Sequence, residues 1–179
     1  MKTTEMLIAG FGGQGILFSG KFLAYKGLLE DLQVSWLPSY GPEMRGGTAN
    51  CNVILSDTPV GSPIITTPNV LIAMNLPSLE KYVNTVVAGG QIYVDSSLID
   101  AKVERDDVEV FYIPATQMAK EAGIASLANM IIVGHLLENH PELSFEGAEA
   151  VVEKLVPPKK AALKELNMKA LSLGKNYNK

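Results

Sequence analysis

The chain has 179 residues, 47% of them apolar and 19% charged, with a net charge of -4. That length fits one domain, and that composition excludes a disordered chain. No basic block offers a footprint for nucleic acid, no run reaches the roughly 18 apolar residues of a membrane span, and no signal-peptide pattern opens the chain, so a soluble cytoplasmic protein is expected.

Met6 to Ala9 is a short apolar run ending at Gly10 and reads as a buried first strand. Gly10-Phe11-Gly12-Gly13-Gln14-Gly15 follows, then a helical pattern from Ile16 to Glu30 in which Gly20, Ala24 and Gly27 form a small-residue face suited to close packing on a sheet. Gln33 to Leu37 predicts a second strand closing at Pro38, and Ala49 to Leu55 a third. Val70 to Met74 predicts a fourth strand, followed by a helix carrying Leu76, Leu79, Tyr82, Val83, Val86 and Val87 that stops at Gly89-Gly90. Gln91 to Val94 and Val108 to Ile113 predict two more strands. The C-terminal third reads as helical: Ala115 to Ala122, Ser126 to about Asn139, a helix capped by Ser144 running to Leu155, and a last helix opened by Pro157-Pro158 and running from Lys159 to about Leu173. Strands alternating with helices predict a single α/β domain, Rossmann-like and three-layered, with a mainly parallel sheet and a helical C-terminal segment over about 144–174.

Of two nucleotide motifs, one loses most of its weight on inspection and the other fails. Gly10, Gly12 and Gly15 have the glycine spacing of a dinucleotide turn, placed between a strand and a helix. The acidic residue that would hold a ribose at the end of the second strand is missing, because that strand ends in Leu37-Pro38-Ser39-Tyr40. Gly15 to Lys21 imitates a P-loop, but Phe22 stands where a hydroxyl must meet magnesium, and the segment lies inside the helix. The glycines retain two readings: a turn that lets an anion approach the helix N-terminus, or close helix–sheet packing alone.

The other candidate residues are few. Ser39-Tyr40-Gly41-Pro42-Glu43-Met44-Arg45-Gly46-Gly47-Thr48 combines turn formers with Tyr, Glu and Arg, and Arg45 is suited to a carboxylate or phosphate. Cys51 is the sole cysteine and reads as a small core residue, so an iron–sulfur cluster held by this chain alone is excluded. His135 and His140 have no partner ligands nearby in sequence; a structural His135 and a helix-terminal His140 are expected, and no metal site. Met118, Met130 and Met168 read as packing. No Gly-x-Ser-x-Gly nucleophile turn exists.

Gly10-Phe11-Gly12-Gly13-Gln14-Gly15 and Ser39 through Cys51 together resemble the gamma subunit of 2-oxoacid:ferredoxin oxidoreductases. Ala73-Met74-Asn75, Asp95-Ser96-Ser97, Ile113-Pro114-Ala115-Thr116 and Asn129-Met130 add weaker matches, and the likeness covers roughly residues 5–150. The resemblance implies a multi-subunit enzyme that oxidatively decarboxylates a 2-oxoacid to an acyl-coenzyme A and passes electrons to ferredoxin. It implies thiamine diphosphate, magnesium and iron–sulfur clusters on alpha, beta and possibly delta partner subunits, with no cofactor on this chain alone and no catalysis by it alone. It implies that Gly10, Gly12, Gly13, Gln14, Gly15, Ser39, Tyr40, Gly41, Pro42, Glu43, Arg45, Gly46, Gly47 and Thr48 face those partners near coenzyme A. Asn75 and Asp95 follow strand ends and are expected on the same rim, with helix or turn capping as their alternative role. A stand-alone nucleotide- or small-molecule-binding module, and the equivalent subunit of an indolepyruvate oxidoreductase, remain the other readings.

Overall fold

The computed structural model describes residues 3–39 and 48–178. Six strands form one sheet in the order β2-β3-β1-β4-β5-β6. They are β1 (Thr4–Phe11), β2 (Gln33–Ser39), β3 (Thr48–Ser56), β4 (Val70–Ala73), β5 (Gln91–Asp95) and β6 (Glu109–Ile113). The helices are α1 (Ile16–Leu29), α2 (Leu76–Tyr82), α3 (Ala115–Glu121), α4 (Ala128–Asn139), α5 (Ala148–Leu155) and α6 (Ala161–Lys175).

The α/β expectation holds, and the sheet is mixed. β1 pairs β4, β4 pairs β5 and β5 pairs β6 in parallel. β3 is antiparallel to both β1 and β2. β2 therefore runs in the same direction as β1, and only β3 points the other way.

The sheet separates two cores. Met6, Ile8, Phe22, Cys51, Val53, Tyr93 and the apolar side of α4 fill the larger one. Leu7, Leu71, Ala73, Ile92 and Val94 turn to the opposite face, where Leu79 of α2 and Ile99 meet them. This alternation along β1 is the period-two geometry of a strand buried on both sides, and it explains why β4 reads as an unbroken apolar run. Gly20 shows why α1 carries small residues toward the sheet: a Cβ there would land on Cys51 Sγ and crowd Trp36. In the last turn of α1, Lys26 is only 1% exposed and pairs with Glu30. Its cation also suits the negative end of the helix. Asp31 then adopts φ 57 to turn the chain toward β2.

Several boundaries differ from the sequence reading, each for a local reason. β1 continues through Gly10 to Phe11 because both residues have partners on β3, Ala49 and Thr48. β2 runs past Pro38 to Ser39; it is an edge strand paired only with β3, a position that tolerates a proline. α2 stops at Tyr82 and continues as one 3-10 turn, Val83–Thr85. The Ser126 start resolves into a 3-10 turn, Ala125–Leu127, before α4. The last helix likewise begins as a 3-10 turn at Pro158–Lys160 and extends to Lys175.

Ser144 does not cap α5. That helix begins at Ala148 behind a left-handed Gly147, while the Ser144 hydroxyl donates to Glu30 at 3.5 Å.

Between β5 and β6 the chain has no regular element and is held by Arg105. Its guanidinium donates to the carbonyls of Val83 and Val86 at 2.8 Å each and forks onto Asp107. Among the described residues, no helix is long and apolar enough to cross a membrane.

Candidate functional site at the carboxyl rim of the sheet

Strand direction decides what gathers at this rim. β1, β2, β4, β5 and β6 all end there and β3 begins there, so the glycine turn, both stems of the second loop, Asn75 and Asp95 share one edge of the sheet. Phe11, at the foot of the glycine turn, is in register with Thr48, and Ser39 is opposite Asn50. Thr48 thus enters the sheet beside the foot of the glycine turn, and Ser39 leaves it on the same rim one strand further out. Tyr40, Gly41, Pro42, Glu43, Arg45, Gly46 and Gly47 lie outside the described residues.

The glycine turn is held by its own glutamine. Gln14 Oε1 accepts from the Phe11 N–H at 2.6 Å, and Gln14 Nε2 donates to the Met74 carbonyl at 3.0 Å. This carboxamide bridges the ends of β1 and β4, the place where strand order reverses and α/β sheets commonly hold ligands. A Cβ on Gly10 would come within 2.6 Å of Gln14 Oε1 and 2.7 Å of Ile16 Cδ1, so a larger residue there would push the Gln14 amide off its bond to Phe11. Gly15 is required by conformation as well: it caps α1 at φ 75, with the Asn129 carboxamide 2.5 Å from any added Cβ.

Asn75 and Asp95 stand at the rim by position, but their side chains turn inward. Asn75 is 2% exposed and caps α2, its Oδ1 accepting from the Ser78 N–H at 2.9 Å. Asp95 is fully buried. Its carboxylate accepts from Thr116 Oγ1 at 2.6 Å, from the Thr116 N–H at 3.3 Å and from the Ser97 N–H at 3.1 Å. It fastens the end of β5 to the first turn of α3. Both side chains are therefore engaged within the chain itself, Asn75 as the cap of α2 and Asp95 as a brace between β5 and α3. Gln14, expected to face partners too, is half-buried and commits both ends of its amide to the backbone.

What the described rim does expose is backbone and apolar side chain. Gly12 and Gly13 are exposed, and the first-turn N–H groups of α1 have no intrahelical acceptors. Phe11, Leu76 and Leu98 are 42%, 38% and 47% exposed at the ends of three neighbouring strands, β1, β4 and β5. Among the described residues no three His, Cys, Asp or Glu side chains converge as a metal-ligand set. Cys51 is fully buried under α1, and burial pushes its thiol up to about 12. His135 is buried between α4 and α6, its Nδ1 3.1 Å from the Gly174 carbonyl and its Nε2 3.3 Å from Asn139 Nδ2. Burial lowers its pKa, and it has no role at the rim.

Two residues at this edge enter the sequence analysis only inside matching motifs, with no role given to them. Thr116 lies 21 positions from the carboxylate it binds. Asn129 was noted only as part of a matching pair, although a lone amide among Ala128, Met130, Ile131, Ile132 and Val133 is itself a sign of buried polar work.

Comparison with known proteins agrees with this architecture. The family model described as pyruvate ferredoxin/flavodoxin oxidoreductase matches residues 5–177. The ketoisovalerate oxidoreductase subunit VorA of Methanothermobacter thermautotrophicus is 43% identical over 130 residues, 73% of this chain and 27% of VorA. This chain thus spans about a quarter of that relative's length. The 2-oxoglutarate synthase subunit KorC of Methanothermobacter marburgensis is 35% identical over 178 residues, covering 96% of this chain and 94% of KorC. The indolepyruvate oxidoreductase subunit IorB of Archaeoglobus fulgidus is 27% identical over 192 residues, 96% of this chain and 94% of IorB. Among solved structures, the gamma subunit of the keto/oxoacid ferredoxin oxidoreductase of Geobacter sulfurreducens superposes with a TM-score of 0.80 at 30% identity, covering 96% of this chain and 95% of that one. The 2-oxoglutarate:ferredoxin oxidoreductase of Magnetococcus marinus, solved with 2-oxoglutarate, coenzyme A and succinyl-CoA bound, superposes with a TM-score of 0.87 at 26% identity over 98% of this chain and 31% of that one.

Proposed function

The chain belongs to the pyruvate ferredoxin/flavodoxin oxidoreductase family, and we propose that it serves as the gamma-type subunit of a cytoplasmic 2-oxoacid:ferredoxin oxidoreductase that converts a 2-oxoacid to an acyl-coenzyme A. In this reading it closes over the active site, meets the alpha, beta and possibly delta subunits along the carboxyl rim, and helps to hold coenzyme A. One observation carries the proposal: the glycine turn and both stems of the Tyr40–Gly47 loop leave the sheet side by side, with Phe11 opposite Thr48.

The chain's own groups have defined tasks in this arrangement. The turn from Gly12 to Gly15 and the first N–H groups of α1 are suited to an anionic group such as a coenzyme A phosphate. Phe11, Leu76 and Leu98 give a companion subunit apolar area to bury. Arg45 is assigned to a carboxylate or phosphate on the companion side, on the strength of the sequence resemblance. Thiamine diphosphate would supply the decarboxylation chemistry on the companion chains, and electrons would leave through their clusters to ferredoxin. The substrate class favoured is 2-oxoglutarate or a branched-chain 2-oxoacid, following the KorC and VorA likenesses.

Affinity purification of the chain under anaerobic conditions, with mass identification of what accompanies it, tests this function. Co-purification of thiamine- and cluster-bearing subunits, with coenzyme A-dependent oxidation of 2-oxoglutarate or 3-methyl-2-oxobutanoate, is the expected result. Preference for indolepyruvate would move the chain to the IorB type. A free monomer with tight nucleotide binding would overturn the subunit reading.

A further inference from the structure

Asn129 lies in the first turn of α4, 114 residues from the glycine turn, yet it holds that turn directly. Its side chain is 97% buried by exposure of 3%. Nδ2 donates one hydrogen to the Gly15 carbonyl at 3.1 Å and the other to Ser19 Oγ at 3.0 Å. A backbone carbonyl only accepts, so the amide's orientation is fixed and Oδ1 takes part in neither bond. That oxygen is buried and has no partner. Unpaired buried acceptors are unfavourable, and an apolar side chain would pack α4 against α1 without one. The neighbours of Asn129 on α4, Met130 through Val133, are apolar and buried. The amide is therefore poorly explained as packing and well explained as an anchor.

The anchor has a counterpart. Gln14 ties the same turn to Phe11 and Met74 on the strand side, while Asn129 ties Gly15 and Ser19 from the helix side. The exposed Gly12–Gly13 step is suspended between the two carboxamides. We infer that Asn129 is a positioning residue, which sets the placement of the Gly12–Gly15 turn for coenzyme A and the companion subunit. This inference rests on the proposal that the turn faces them.

The test uses the co-purified complex and the chain itself, with three forms: wild type, Asn129→Leu and Gly13→Ala. Leucine removes both donors and the orphaned acceptor while keeping a side chain of similar bulk. Gly13→Ala strains the turn directly through its backbone, because Gly13 has φ 94, and it creates no clash, because its Cβ position is open. For Asn129→Leu, amide hydrogen exchange across residues 12–19 of the chain should accelerate at least tenfold while exchange in β4 and β5 is unchanged. In the complex the KM for coenzyme A should rise at least fivefold with kcat within twofold. Faster exchange with an unaltered KM makes Asn129 a purely structural residue and overturns the inference, as does no change in either measurement. If Asn129→Leu does not fold, the same two measurements on Asn129→Ala decide the matter. Gly13→Ala separates the two claims: if it impairs coenzyme A use and Asn129→Leu does not, only the positioning role fails. If Gly13→Ala leaves assembly and the coenzyme A KM unchanged, the turn does not face the companion side at all.

Discussion

Replacing Asp95 by alanine should be among the costliest single changes at the rim. The carboxylate is fully buried and accepts three hydrogen bonds, from Thr116 Oγ1, the Thr116 N–H and the Ser97 N–H. A hydrogen bond to a charged group contributes about 1.5–3 kcal/mol, but three on one residue do not add fully, because Thr116 can turn its hydroxyl elsewhere. The two N–H groups lose their acceptor, and the small void left behind adds to the loss. Together these give about 3–4 kcal/mol, or a fall of roughly 10 °C in Tm for a chain of this size. Asp95→Asn keeps the shape and one acceptor oxygen and should lose about half as much. Thr116→Ala should fall between them, because it removes the 2.6 Å bond and leaves the carboxylate two N–H donors. Urea unfolding of the three variants, followed by far-ultraviolet circular dichroism, gives the order directly. A loss under 1 kcal/mol for Asp95→Ala, or a larger loss for Asp95→Asn, would refute the brace. Companion-subunit binding per folded Asp95→Asn chain should match wild type; a selective loss there would restore Asp95 as a partner-facing residue.

Cys51 should resist alkylation by iodoacetamide at pH 8 in the folded chain and react fully in urea, because burial holds the thiol near 12; rapid labelling of the native chain would contradict its place under α1. His135 has a native pKa below its ordinary 6.5, chiefly through burial. The unfolded chain therefore binds the proton more readily, so the stability this residue contributes is complete above about 6.5 and is lost as pH falls toward the lower native value. Protonation at Nε2 would also set a second donor against Asn139 Nδ2. Between pH 7.5 and 5.5 the unfolding midpoint of wild type should fall more steeply than that of His135→Gln. His140 is shifted the same way by burial and shares the slope, so equal slopes for wild type and His135→Gln would remove His135 from the account.

Much of the fold was legible because its strands are short, apolar and punctuated. Gly10, Pro38, Asn75 and Asp95 each mark the carboxyl end of a strand to within two residues. The antiparallel placing of β3 was not legible. Nothing local in Ala49 to Leu55 says that it takes both β1 and β2 as neighbours, or that it runs opposite to each. Ser144 illustrates a second limit: a good capping residue was present, but the helix starts four residues later, behind Gly147. At the rim, the glycine turn announced itself through spacing, whereas the work of its side chains did not. Gln14 looks like an exposed loop residue until Met74, 60 positions away, takes its amide. The partners of Asp95 and Asn129 are similarly distant, and contacts of that range leave no periodic trace.

The close seating of α6 on α4 bears on how the molecule is born. Gly134 and Gly174 bring the two backbones together so tightly that a methyl group on Gly134 would strike the Leu171 carbonyl and one on Gly174 the Ile131 carbonyl, and Ala170 and Leu171 complete the seal. All six strands precede α6 in translation order. A nascent chain thus completes its sheet while the greasy flank of α4 still awaits its cover, and that flank stays open to water until the fifteen residues of α6 have followed.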